Sequence, residues 1–261
     1  MDDLGLPHDC STAEGEALAL ALGDAPETVF AAQLVSRGLC RASLLGEPAR
    51  FTAAMIEVFP GQVLGFGEET RALWELLRRM PAWTSVGVAA RHAVGLRAAI
   101  EHETRRDMQA QTVEFSILTT PVTAVIHPDV RLLDVGEVDL LLTGPGGSVG
   151  RAYGSPQALL AEGVVAGAIH QRELVARAHT SCHSARYADV AIATREDWRG
   201  RGLASAAASL VCERVQRLGR TPIWSTTADN HASRRVAAKL GFVAWSQVIY
   251  LRFADADDGQ A

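Results

Sequence analysis

Residues 196–211 read EDWRGRGLASAAASLV, a knot of arginines and glycines followed directly by small and apolar residues. Such a knot is either an arginine-rich surface turn or a cradle for an anion. Upstream, YADVAIAT (187–194) reads as a strand. Downstream, GLASAAASLVCERVQRLG (202–219) puts Leu203, Ala207, Leu210, Val211 and Leu218 on one helical face and stops at Gly219. At a strand-to-helix junction the first backbone N–H groups of the helix lack partners and lie at the positive end of its dipole, a setting that suits phosphate. Gly200 and Gly202 let the backbone come close to a ligand, and Arg195, Arg199 and Arg201 add charge. Taken alone, these residues leave turn and cradle equally open.

Working outward, GVVAGAIHQ and ELVARAHTS read as two strands joined across His170-Gln171-Arg172, TPIWSTTA as a strand, ASRRVAAKLG as a helix ended by Gly241, and FVAWSQVIYLRF as a long final strand. The order from 163 onward is β-β-β-α-β-α-β. VDLLLTG reads as a strand before it, and SPQALLAEG as a short helix capped by Ser155. GPGGSVG (144–150) is a second glycine-rich stretch, but Pro145 has no N–H to donate and no strong helix follows, so it reads as a flexible loop.

The first half also alternates strand and helix, the pattern of an α/β layer architecture. Ser11 and Glu14 have capping-box spacing ahead of EALALAL. The stretch at 38–61 holds two apolar runs split by Gly46 and Pro48. GFGEET reads as a glycine loop opening a helix with Leu73, Leu76, Leu77 and Met80 aligned. WTSVGVAA reads as a strand, HAVGLRAAIEHETRR as a helix with Val94, Leu96 and Ile100 inward, and TVEFSILTT as a strand. Pro121 and Pro128 mark a linker. The organisation expected is an N-terminal α/β lobe over 1–120, a second domain over 121–256 and a disordered tail over 257–261.

With 261 residues the chain suits two small lobes, and its formal net charge of -5 argues against a general nucleic-acid binder. Cys10, Cys40, Cys182 and Cys212 form no CxxC pair, which suggests neither a disulfide framework nor a zinc ribbon. No apolar run approaches membrane-spanning length and the N-terminus lacks a signal-peptide pattern, so a soluble cytoplasmic protein with no membrane partner is expected. Whether it forms a homodimer stays open.

Arg199-Gly200-Arg201-Gly202-Leu203-Ala204 resembles the R/Q-x-x-G-x-G/A signature of the GCN5-related N-acetyltransferases (GNAT). Asn230-His-Ala-Ser233, followed by a helix ending in Leu240-Gly241-Phe242, resembles their second motif. The resemblance covers roughly residues 130–254 and is nearest to a bacterial branch carrying an extra N-terminal half. It implies a mixed α/β sheet with acetyl-CoA as co-substrate and no metal. It also implies that Ile192, Ala193 and Thr194 lie along the pantetheine arm, that Arg199, Gly200, Arg201, Gly202, Leu203, Ala204 and Ser205 surround the pyrophosphate, and that Asn230 and Ser233 lie at the cofactor. For Asn230 and Ser233, roles at the helix start are equally open.

Direct attack by a primary amine needs a general base. Asp189 is the first candidate, a solvated strand-end aspartate the bland alternative; Glu162, Glu173 and His170 are weaker. The family often has a tyrosine where this chain has Ala237, so Tyr250, a water or unassisted departure remain for the leaving thiol. That gap keeps open a non-catalytic acyl-CoA-binding protein. The acidic balance mildly favours a small cationic amine over an acidic one as acceptor, and a protein lysine or N-terminus stays open. His179, Cys182 and His183 read as a loop lining the acceptor pocket rather than a metal site. Trp74, Trp83, Trp224 and Trp245 read as core. The N-terminal half has no R-x-x-G-x-G/A and is expected to bind no CoA; whether it is a degenerate copy of the same fold stays open.

Overall fold

The computed structural model describes residues 8–147 and 149–254. The tail expected to be disordered lies outside them. In chain order the first elements are β1 (His8–Asp9), α1 (Gly15–Leu22), α2 (Val29–Ser36), β2 (Ala42–Glu47), β3 (Arg50–Phe59), β4 (Gln62–Gly67), α3 (Thr70–Leu77), β5 (Ser85–Ala89), α4 (Ala90–Thr104) and β6 (Met108–Ile117). There follow β7 (Val130–Leu132), α5 (Val138–Thr143), α6 (Pro156–Glu162), β8 (Val165–His170), β9 (Glu173–His183), β10 (Tyr187–Thr194), α7 (Leu203–Arg217), β11 (Thr221–Thr227), α8 (His231–Leu240) and β12 (Val243–Phe253). The described chain forms two compact units that are not consecutive in sequence: residues 8–23, 34–113 and 247–254 make the first, and 24–33 with 114–246 the second.

In the first unit β1 to β4 pair antiparallel in sequence order, β4 and β5 pair parallel, and β12 pairs antiparallel with β5. The capping box at Ser11 and Glu14 is present, on a short 3-10 turn ahead of α1. Helix α3 buries Leu73, Leu76 and Leu77 against Met55, Val63 and Val86, with Met80 packed beside them. Helix α4 buries His92, Leu96 and Ile100, but Val94 is 82% exposed, contrary to its expected inward place. Position 94 lies two residues from both 92 and 96, about 200° around the helix and therefore on its outer side. The GFG expected as a loop closes β4, whose ladder with β3 runs from Gln62 to Gly67. Trp83 stacks on Phe253 at 4.8 Å.

In the second unit β7, β8, β9 and β10 pair antiparallel in sequence order, and β10 pairs parallel with β11. The β8–β9 hairpin turns through Gln171 and Arg172, both with positive φ. Along β8, Ala166 faces α7 while Val165 packs with Leu141 and Leu159 of α5 and α6, so helices cover both faces of these strands. VDLLLTG is thus helix α5, not a strand: Asp134 and Glu137 form a capping box just before it, and a short apolar run does not by itself distinguish the two states. Ser155 caps α6 by accepting from the Ala158 N–H at 3.1 Å. On α7, Leu203, Ala207 and Val211 are buried as expected, Leu210 is half-buried, and Leu218, just past the last turn, is 47% exposed. Small residues Ala206 to Ser209, all at 1% exposure or less, let α7 lie close to the strands. The proline-marked linker is strapped to α7: the Gln216 amide accepts from Val122 N–H, and the Ser209 hydroxyl accepts from Val125 N–H.

Candidate functional site

Strand β10 has eight residues and β11 seven, yet their parallel ladder holds only Tyr187–Thr221, Ala188–Pro222 and Asp189–Ile223. Beyond Asp189, β10 continues to Thr194 paired only with β9. The separation coincides with a bulge between Asp189 and Val190, where an extra residue of β9 raises the local twist. The β10 edge from Val190 to Thr194 therefore turns backbone donors and acceptors toward β11 without a strand to meet them.

At the open end of this gap stands the arginine-glycine knot. Arg195 leads into a short 3-10 turn, Glu196–Trp198, and the chain enters α7 through Gly200 (φ 77) and Gly202 (φ 80). Left-handed backbone at two alternate positions is what glycine supplies. A Cβ on either would meet nothing of the protein within 4 Å, so the space above the knot is open. No side chain caps α7, and its first closing bond runs from Ala206 N–H to Gly202 O, leaving the N–H groups of Leu203, Ala204 and Ser205 directed out of the helix. The three arginines differ. Arg195 is held by Glu173 at 2.7 Å and Asp197 at 3.0 Å. Arg201 lies 4.3 Å over the Trp198 ring and donates to Asp197 O. Arg199 is exposed and in no ion pair among the described residues.

Gap and knot open into one cleft of about 930 Å³, lined by β10 from Val190 to Thr194, by residues 198–205, by Trp224 to Thr226 on β11, and by the near face of α8. Every sequence-selected binding residue lines it: Ile192, Ala193, Thr194, Arg199, Gly200, Arg201, Gly202, Leu203, Ala204, Ser205, Asn230 and Ser233. Asn230 also caps α8, its side-chain oxygen accepting from Ser233 N–H at 3.0 Å, and the Ser233 hydroxyl accepts from Trp224 Nε1–H at 2.9 Å. Sequence reasoning missed Gly146, Ser225, Arg235 and Lys239 in this lining. For α8 the signal was there: Ala232, Arg235, Val236 and Lys239 recur at helical spacing on one face. Uncapped N–H groups, a left-handed glycine pair, exposed cations and an unpaired strand edge fit an elongated ligand carrying phosphates at one end and amide groups along its length.

Asp189 sits where β10 and β11 part. Its carboxylate accepts from Ser181 Oγ–H (2.6 Å), Ser225 Oγ–H (3.1 Å) and Ser225 N–H (3.2 Å). Burial raises its pKa above the ordinary aspartate value against these stabilising bonds. Ser225 lines the cleft, so a hydroxyl connects it to Asp189. Tyr250 is elsewhere, on β12 in the first unit: its ring lies under 3 Å from where a Cβ on Gly87 would stand, and burial pushes its phenol up to about 12. It lines no part of the cleft. Of the weaker candidates, Glu173 is paired with Arg195, Glu162 ends α6 exposed, and His170 packs its ring 4.6 Å from Trp198. His179, Cys182 and His183 lie on β9, not on a loop, and His179 and Cys182 are buried there. Trp224 is core as expected, whereas Trp245 is 55% exposed. Among the described residues no group of His, Cys, Asp and Glu is arranged to hold a metal ion, and no helix is long and apolar enough to cross a membrane.

Residues 149–248, the span holding the knot, the gap and both ends of α8, match a family model described as GNAT acetyltransferase. That span is similar to the GNAT acetyltransferases. The GNAT-like protein of Streptococcus suis matches at a TM-score of 0.67 with 17% identity, over 93% of this chain and 100% of its own. A GNAT protein of Sphaerobacter thermophilus matches at 0.58 and 16%, over 97% and 96%. A tandem GNAT protein from the clavulanic acid biosynthesis pathway matches at 0.55 and 16%, over 97% of this chain and 100% of its own. The GNAT fold and the resemblance read from the two motifs are therefore borne out, and a tandem relative spans both halves of the chain. No curated protein matches it.

Proposed function

We propose that the second unit is an N-acetyltransferase that uses acetyl-CoA and a primary amine, joined in one ternary complex. The observation that carries this reading is the meeting, in one cleft, of the unladdered β10 edge with the glycine-led start of α7. Acetyl-CoA supplies an acyl thioester. The N–H groups from Gly200 to Ser205 hold its pyrophosphate, with Arg199 as the free cation beside them. Ile192, Ala193 and Thr194 bond its pantetheine arm as a further strand would, and an N–H of this edge polarises the thioester carbonyl, a type of contact worth about 10²–10³ in rate. Asn230 and Ser233 border the arm while holding α8 in place.

The amine must be deprotonated to attack, and Asp189 takes that proton through the Ser225 hydroxyl. A carboxylate lifted by burial is a stronger base than a solvated one. As the base must be ionised, turnover falls as pH drops through the raised Asp189 pKa. Asp189→Asn is expected to cut kcat/KM by about 10²-fold and to flatten that acid limb. A mutant keeping the wild-type rate and profile removes Asp189 from the role. The departing thiol has a weakly basic conjugate base and needs no side-chain acid.

A second reading, an acyl-CoA binder without turnover, is favoured by one observation: Ala237 is buried at 6% exposure and no tyrosine lines the cleft. Calorimetry with acetyl-CoA followed by thiol release across an amine panel separates the two. Binding with turnover supports the enzyme, binding without turnover the sensor, and absence of binding removes both.

A further inference from the structure

Arg177 on β9 is 2% exposed, yet no acid among the described residues partners it. Its Nη2 donates to two neutral carbonyls, Gly146 O at 3.0 Å and Gly147 O at 3.3 Å, while Nε and Nη1 are buried with no acceptor among the described residues. Two positions along the same strand face, buried His179 leaves Nδ1 unpartnered as well. Burial and the neighbouring guanidinium depress the imidazole to about 3, so it stays neutral and offers an N–H in one tautomer; burial also lowers Arg177 to about 10. A buried charge satisfied only by neutral carbonyls is costly, and unpaired buried donors call for a partner.

The place of these groups tells what that partner meets. Arg177 is the register partner of Ala193, which lines the cleft. Gly146, whose carbonyl holds the guanidinium, also lines it, and a Cβ there would stand 2.5 Å from the Ala193 side chain and 3.1 Å from Arg177 Nη2. Gly146 thus touches both the guanidinium and the cleft. Gly146 and Gly147 both adopt left-handed backbone, which glycine takes without strain, and neither places a side chain over the guanidinium.

We infer that the acceptor amine carries a carboxylate, and that the Arg177 guanidinium, with His179 Nδ1 beside it, receives that carboxylate in exchange for the Gly146 and Gly147 carbonyls. The inference rests on the acetyltransferase reading and sharpens it: an amino acid or a peptide-like zwitterion replaces the purely cationic acceptor suggested by net charge. A planar carboxylate matches the guanidinium fork and supplies the charge that the two carbonyls lack.

The test compares amino acids with their carboxamides as acceptors, by thiol release at saturating acetyl-CoA, for the wild type, Arg177→Met and Arg177→Lys. The wild type is expected to favour the free carboxylate by about tenfold or more in kcat/KM. Arg177→Met should erase that preference, Arg177→Lys should keep part of it, and the KM for acetyl-CoA should stay within about threefold in both. Equal use of acids and amides, or a preference that survives in Arg177→Met, overturns the inference while leaving the acetyltransferase intact. If nothing turns over in either series or across the wider amine panel although acetyl-CoA binds, the acetyltransferase reading fails instead. The anion site is then decided by melting temperature: the same amino acids at tens of millimolar, with CoA present, raise it in the wild type but not in Arg177→Met. No rise in the wild type, as when ordered water alone satisfies the guanidinium, overturns the inference.

Discussion

Each unit contains, among the described residues, a pair of parallel neighbouring strands, and the two pairs behave differently. In the first unit β4 and β5 stay together over Gln62–Ser85, Val63–Val86, Leu64–Gly87 and Gly65–Val88, nearly the whole length of β5. In the second, β10 and β11 share three pairs and then part. The connections to the following helices differ in the same sense. The β10–α7 connection exposes N–H groups and cations. The β4–α3 connection carries Glu68 and Glu69, and it is occupied by the protein itself: Gly67 O lies 3.1 Å from His92 Nε2 and 3.2 Å from Arg91 Nη2, while His92 Nδ1 meets Thr70 Oγ1 at 2.9 Å. The same local grammar, strand then glycine turn then helix, yields an open cradle in one unit and a closed junction in the other. What decides is whether the strands separate and which charges stand at the turn.

This contrast can be broken at either end. The largest effect is expected from Gly202→Val, which places a β-branched residue at φ 80 in the space assigned to the phosphates. Acetyl-CoA affinity by calorimetry should fall by about 10²-fold or more, with circular dichroism unchanged; an unaltered affinity would mean the knot is only a turn. His92→Ala in the first unit should act the opposite way. It leaves Gly67 O and Thr70 short of a partner and should cost about 1–3 kcal/mol in denaturant unfolding, with acetyl-CoA affinity within about twofold of wild type. A large loss of affinity there would show that the closed junction also contributes to binding. The smallest effect belongs to Asn230→Ala, which removes the α8 cap for about 1 kcal/mol of stability. A loss of acetyl-CoA affinity larger than this energy implies would add a direct contact to the capping role.

The sequence made the second unit legible because its signals are local. The knot depends on glycines at alternate positions, the caps on Ser155 and Asn230, and the hairpin on its polar turn, each within a few residues. What it hid depends on neighbours distant in the chain. Residues 24–33 join the second unit, where the Gln33 side chain accepts from His183 N–H at 2.5 Å, a bond 150 positions long. Arg177 and GPGGSVG looked like strand and spare loop, and only their contact across 31 positions makes them a pair. Tyr250 was chosen by residue type, and its packing against Gly87 could not be read from 163 positions away. The misread α5 had its signal in plain view, since Asp134 and Glu137 already had capping-box spacing.

The central claim is that acetyl-CoA is held where the strands part and not where they stay together. Amide hydrogen exchange with and without acetyl-CoA tests it in both regions at once. The account predicts slowed exchange over 190–205 and no change over 62–70; protection at 62–70, or none at 190–205, contradicts it.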